Sequence, residues 1–151
     1  MRLKKAERAR EHVDGLIDFD TQGALGGVDL TVTYVARVAS EGRLDFGGSE
    51  FEPAEREVLS PELASPDDTY GWWNLEPGSY VIEYNESLEL GPGAVAAIHP
   101  LPRLLRAGAS HPTFMVATDR DPVETLITVG EQGCRIKENA RVSRLVVMTT
   151  G

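Results

Sequence analysis

The sequence predicts an all-β domain, a distorted barrel or jelly-roll-like sheet with a short N-terminal helix. Three observations carry that prediction. Short β-branched and aromatic runs recur from Val28 to Met148 at about ten-residue intervals. Gly- and Pro-containing turns separate them. After the first dozen residues, no segment shows a sustained helical period of apolar residues.

Taken in order, "LKKAERAREHV" has the spacing of a short amphipathic helix from Leu3 to about Val13, ended near Gly15. "GALGG" punctuates the chain, and "VDLTVTYVARV" (Val28–Val38) reads as a strand. Alternation puts Val28, Leu30 and Val32 on one face and Thr31, Thr33 and Val35 on the other. Residues 47–70, rich in Gly, Pro, Ser, Glu and Asp, read as an acidic loop excursion. A turn at Pro77-Gly78 divides two apolar stretches, and "GPGAVAAIHP" leads from a turn into a short buried strand. "PRLLRAG" has room for one helical turn, and "TFMVAT", "VETLITV" and "ARVSRLVVM" read as further strands. The division that follows is a helix and lead-in over 1–22 and a single β domain over 23–151.

At 151 residues the chain is long enough to bury a core, and 41% hydrophobic with 26% charged residues is ordinary for a globular protein. It has no apolar run of membrane-spanning length and no secretory signal after its basic start, so a cytoplasmic protein is expected. The single Cys134 excludes an internal disulfide and a cysteine-based zinc site, and its place after Gly133 suggests a turn. A formal net charge of −9 argues against nucleic acid as a partner. The charge is uneven: residues 1–10 carry five bases and one acid, and residues 41–70 carry nine acids and two bases.

Against this acidic background, "PLPRLLRAG" (Pro100–Gly108) stands out. Arg103 and Arg106 lie three residues apart in a proline-bounded loop, with Asp119 thirteen residues beyond the second. Guanidinium groups match phosphate oxygens, but Arg103 is equally suited to a surface salt bridge and Arg106 to pinning a subunit interface. His12, His99 and His111 lack metal-site spacing, and His111-Pro112 reads as loop. Of Trp72 and Trp73, one is expected in the core and one at the surface or an interface.

The order of "GGVDLTV", "LEPGSYVIEYNESLELGPGAVAAI", "PLPRLLRAG", Asp119 and "GCRIKENARVSRLVV" resembles five segments of the dUTPase/dCTP deaminase superfamily, over roughly residues 23–148. The resemblance implies a distorted β-barrel assembling as a homotrimer, with sites shared between subunits. It implies splitting of a deoxynucleoside triphosphate, dUTP first, to monophosphate and pyrophosphate, with magnesium on the triphosphate. By position, Asp29 is expected to reach a magnesium-bound water, and Arg103, Arg106 and Arg144 to hold phosphate. Asp119, or with a two-residue slip Asp121, is expected to orient the attacking water.

The departures from the family pattern are specific. Leu101-Pro102-Arg103 stands where the family has Arg-Ser-Ser, so both hydroxyls are gone and Pro102 removes a backbone N–H. "TDRDPVET" lacks the glycines and the aromatic of Asp-Pro-Gly-Tyr. Deamination is less supported than hydrolysis, because its glutamate position holds Val129, with Glu124 and Glu131 off register. Arg144 replaces the last strand's Gln, and the residues after "VVM" show no glycine-rich arm. A catalytically silent trimeric homologue that binds a nucleotide or a protein partner therefore stands beside the hydrolase as an alternative.

Overall fold

The computed structural model describes residues 2–150. The first of these form β1 (Arg2–Leu3), α1 (Ala6–Ala9), β2 (Val13–Asp14), α2 (Phe19–Gln22), β3 (Gly23–Ala24) and the long β4 (Gly27–Val38). The middle of the chain supplies β5 (Arg56–Val58), β6 (Trp72–Leu75), β7 (Gly78–Tyr84), β8 (Ser87–Leu88) and β9 (Ala94–Pro100). Then come α3 (Pro102–Arg106), β10 (Ala109–Ser110), β11 (Phe114–Val116), β12 (Glu124–Val129), β13 (Cys134–Lys137) and β14 (Arg141–Thr149). The all-β expectation holds.

The main sheet runs β10-β12-β7-β4-β14-β9-β11, with β1 added to β14 and both β3 and β5 to β4. Every pairing is antiparallel. β4 curls this sheet into a half-barrel. Its first part, Val28–Thr31, pairs with β14, and its second, Val32–Arg37, pairs with β7. The register shifts between Val32 and Tyr34 on one side and between Arg141 and Ser143 on the other. Such irregularities bend and twist a strand, so one strand serves two half-sheets that enclose the core between them. Leu30, Val32, Ile82, Ile98, Ile127, Leu145 and Val147 fill that core with no exposed surface.

The shift also corrects the strict alternation read from the sequence. Val35 is buried in the core with Val32, and Thr33 between them is exposed. The N-terminal helix is shorter than its pattern. Leu3 pairs with Met148 on β14, so α1 starts at Ala6 and continues only as a 3-10 turn over Arg10–His12. Ala9 nevertheless reaches the core. Cys134 lies in β13 rather than in a turn, with its thiol buried and its pKa raised by that burial.

The acidic excursion is more ordered than a loop reading implies. Beyond β4, residues 39–55 form an arm closed at its base by Ala39 N donating to Glu55 O at 2.8 Å. Arg43 and Glu52 exchange backbone bonds of 2.8 and 3.0 Å and pair their side chains at 3.2 Å. At the tip, Asp45 accepts from the N–H groups of Gly48 and Glu50, while Leu44 and Phe46 project fully into solvent. The chain then returns along β5 to the end of β4. No helix among the described residues is long and apolar enough to cross a membrane.

Candidate functional site

α3 builds one wall of the candidate site. Pro102 at its first turn presets the backbone angle and sacrifices an N–H that a helix start leaves unpaired anyway. Gly108, at φ +94°, ends the helix in a conformation that costs glycine little. Leu101 N donates to Val142 O at 2.9 Å, and Leu104 is buried, so the helix is anchored on both sides. Arg103 and Arg106 remain exposed on it.

The opposite wall is the β13–β14 connection. Asn139 takes φ +66° there, a conformation asparagine tolerates better than most residues. Glu138 N donates to Gly71 O at 3.0 Å, and its Oε2 accepts from Gly71 N at 2.7 Å, pinning the turn against the start of β6. Between the walls lies a cleft of about 390 Å³ lined by Trp72, Arg103, Arg135, Lys137 and Arg141, with apolar backing that includes Ile136. A second cleft, of about 380 Å³, shares Arg103, Asn139, Ala140 and Arg141 with the first and extends past Gln22, Thr31 and Tyr70. Four cationic side chains and one acidic residue, Glu138, thus meet in one trough of a chain whose net charge is −9.

Asp29 and Arg144, for which sequence position suggested a magnesium-bound water and a phosphate, are paired with each other. Arg144 Nε donates to Asp29 Oδ1 at 2.9 Å, and Arg141 Nη1 donates to Oδ2 at 3.1 Å. Asp29 is 1% exposed, and both its oxygens are engaged. The register explains the pairing, since Asp29 on β4 stands directly opposite Arg144 on β14. Among the described residues no group of three or more His, Cys, Asp or Glu side chains could hold a metal. These residues do not fit a magnesium ion held by the protein itself.

Asp119 and Asp121 are exposed on the β11–β12 connection. Asp119 Oδ1 accepts from Leu90 N at 2.7 Å, and Arg120 bridges Leu88, so this carboxylate is held beside β8. It lines neither cleft. The structure therefore joins Arg103 to Arg141 and Asp29 to Arg144, and it leaves Arg106 and Asp119 outside those groups.

Two polar networks escaped the sequence reading. Glu86 is buried and accepts from Thr31 N at 2.7 Å, Thr31 Oγ1 at 2.6 Å and Gln22 Nε2 at 3.0 Å. Burial raises its pKa against the pull of those hydrogen bonds. Gln22 Oε1 in turn accepts from Ile17 and Asp18, tying the N-terminal lead-in to the sheet beside the second cleft. In the other, His111 Nδ1 faces Pro112 O at 2.8 Å and its Nε2 faces Ser143 Oγ at 2.7 Å, which lies 2.6 Å from Tyr84 Oη. The carbonyl can only accept, so Nδ1 carries a proton, and in the neutral ring Nε2 accepts from the serine hydroxyl. Arg135, Lys137 and Arg141 carried a usable signal: "CRIKENAR" concentrates bases at alternating positions in an otherwise acidic chain.

No protein-family model matches the chain. Curated relatives do. A probable deoxyuridine 5'-triphosphate nucleotidohydrolase of Methanosarcina acetivorans is 29% identical over 150 residues, covering 97% of this chain and 84% of that protein. A protein of the same description from Archaeoglobus fulgidus is 30% identical over 132 residues, covering 86% and 74% of the two chains. The chain belongs to the dUTPase/dCTP deaminase superfamily. A likeness in fold agrees: the crystal structure of 2'-deoxycytidine 5'-triphosphate deaminase from Agrobacterium tumefaciens superposes with a TM-score of 0.66 at 14% identity over 97% of this chain. The match takes in 48% of that deaminase, so this chain spans about half its length. Arg103 lies in the segment that resembles the superfamily's phosphate loop, and cations from β13 and β14 line the cleft beside it.

Proposed function

We propose that this superfamily member is a dUTPase-like nucleotide hydrolase that splits a deoxynucleoside triphosphate, dUTP first among them, to the monophosphate and pyrophosphate. The observation that carries the reading is the cationic trough, found in a chain whose relatives are named as nucleotidohydrolases along most of their length. Its size lies in the range of small-molecule sites, roughly 300–1,000 Å³. Arg103 and Arg141 grip phosphate oxygens there, and Asp29 with Arg144 orients Arg141 from behind. Magnesium belongs to the substrate in this scheme and arrives on the triphosphate.

Asp119 orients the attacking water and takes its proton. Because it stands apart from the cleft of its own chain, the reading requires a complete site built between copies, as in a homotrimer. The sheet offers a surface for that assembly. Val95, Ala97, Met115, Val146 and Met148 share the face opposite the core, where Met115 is 58% exposed. Light scattering at micromolar concentration should return three times the chain mass, and a monomer would remove the shared site.

The test of activity is pyrophosphate release from dUTP, dCTP and dTTP with and without magnesium, alongside an assay for ammonia. Asp119→Asn should abolish release, since the amide keeps the shape and cannot accept the proton. Full activity in Asp119→Asn with loss in Asp121→Asn moves the role two residues on. Binding without turnover selects the silent homologue, which the missing loop hydroxyls and the closed Asp29 pair also favour.

A further inference from the structure

We infer that Asn139 presents its amide Nδ2 to the ligand as a fixed hydrogen-bond donor, and that the buried Glu86 sets this polarity through Thr31 and Asn85. The inference rests on the reading of the Arg103 cleft as a nucleotide site. It adds to the cations of that cleft a neutral group that recognises an acceptor oxygen, on a phosphate or on the nucleoside.

Asn139 lines both clefts. Its backbone has little freedom: Asn139 N donates to Val32 O at 2.8 Å, and Ala140 O accepts from Val32 N at 3.1 Å, which clamps the turn on β4. What the side chain offers a ligand then depends on which way round its amide stands, and its neighbours decide that.

Gln22 fixes the far end of the chain. Its Oε1 accepts from the N–H groups of Ile17 and Asp18, so its Nε2 is the atom that donates to Asp29 O and to Glu86 Oε2. Glu86 Oε1 accepts from Thr31 N at 2.7 Å. A carboxylate only accepts, so the Thr31 hydroxyl gives its single proton to Glu86 Oε2, at 2.6 Å, and keeps lone pairs for Asn85. Asn85 therefore turns its Nδ2 toward Thr31 Oγ1, at 2.9 Å, and the second hydrogen of that group goes to Asn139 Oδ1, also at 2.9 Å. With Oδ1 committed, the end of Asn139 left to a ligand is Nδ2, which has no partner among the described residues. Reversing the Asn139 amide would set two NH2 groups against each other. Glu86 and Asn85 line neither cleft, so they act on a ligand only as positioning residues.

Calorimetric titration tests this with two probes, inorganic triphosphate and the α,β-imido analogue of dUTP, which resists cleavage between its α and β phosphorus atoms. Asn139→Gly keeps the turn, because φ +66° suits glycine, and should weaken binding by about fivefold, the scale of one hydrogen bond. A loss shared by both probes places the acceptor on phosphate, and a loss confined to the nucleotide places it on the nucleoside. Asn139→Asp keeps the shape but turns the donor into a negative acceptor, and should weaken binding further. Asn85→Asp puts an acceptor-only group opposite Asn139 and should turn the amide round, with a loss that shrinks to less than about twofold in the Asn139→Gly background. An equal loss in both backgrounds overturns the positioning role. Thermal unfolding midpoints show which variants are folded, and Thr31→Val, which keeps the side-chain shape, reads the same coupling should Asn85→Asp fail to fold. Parent-like affinity for both probes in Asn139→Gly, with pyrophosphate release from dUTP intact, overturns the inference and leaves the hydrolase reading standing. Weakened binding in Asn139→Gly, beside a parent that binds but releases no pyrophosphate, does the reverse. No binding of either probe by the parent protein also overturns the inference.

Discussion

The imidazole of His111 is 4% exposed, with Nδ1 at Pro112 O and Nε2 at Ser143 Oγ. Burial pushes its pKa below the ordinary value, and the nearby His99 pushes the same way more weakly. The unfolded chain then takes up a proton at a higher pH than the folded one does. Stability from this site is therefore complete above the unfolded value of about 6.5 and is lost as pH falls below it. Urea unfolding at pH 7 and pH 5 should show a lower midpoint at pH 5, and His111→Gln should flatten the difference. An identical fall in His111→Gln would assign the acid sensitivity to other groups. Tyr84 and Ser143 complete this chain from β7 and β14, so it ties together strands on either side of β4.

At the scale of elements, the approach of β4 to β14 is set by the absence of a side chain. A Cβ on Gly27 would stand 2.2 Å from the carbonyl oxygen of Leu145, which is backbone and cannot swing aside. Gly27→Ala should therefore cost at least the upper end of the usual overpacking penalty, about 3 kcal/mol, read from the urea midpoint. A variant as stable as the parent would mean that the two strands separate freely. This tight pairing also shows what the sequence could and could not reveal. The β-branched run of β4, the glycines flanking it and the helical turn after Pro102 were legible because propensity and turn chemistry act over a few residues. The burial of Val35 was not, since it depends on a register shift that β4 makes with β7. Nor was the pairing of Asp29 with Arg144 and Arg141, because register between segments 112 and 115 residues apart decides it. The segment resembling a phosphate loop pointed to Arg103. Its companions Arg135, Lys137 and Arg141 left a signal as a run of bases, but their meeting with Arg103 depends on the turn at Asn139 that brings β13 and β14 against α3.

Seen as a whole, the molecule places its acidic arm and its cationic trough on separate elements, and the arm closes on itself. Its base is shut by the Ala39–Glu55 bond and by Glu55 N on Ser40 Oγ at 2.8 Å, its middle by Arg43 and Glu52, its tip by Asp45. The consequence is modularity. The two ends of the arm already sit one hydrogen bond apart, so residues 41–54 can be cut out and the gap spliced with Asn-Gly, a pair suited to a tight hairpin. Shortening a loop changes its closure cost by only about 0.6 kcal/mol per halving, so the truncated domain should unfold within a few degrees of the parent. It should also resist precipitation better, having shed the bare phenyl ring of Phe46 and the isobutyl group of Leu44. Loss of a cooperative thermal transition would show that the arm is a strut. A retained transition makes the same junction a splice point where a foreign peptide can be inserted in place of the native one.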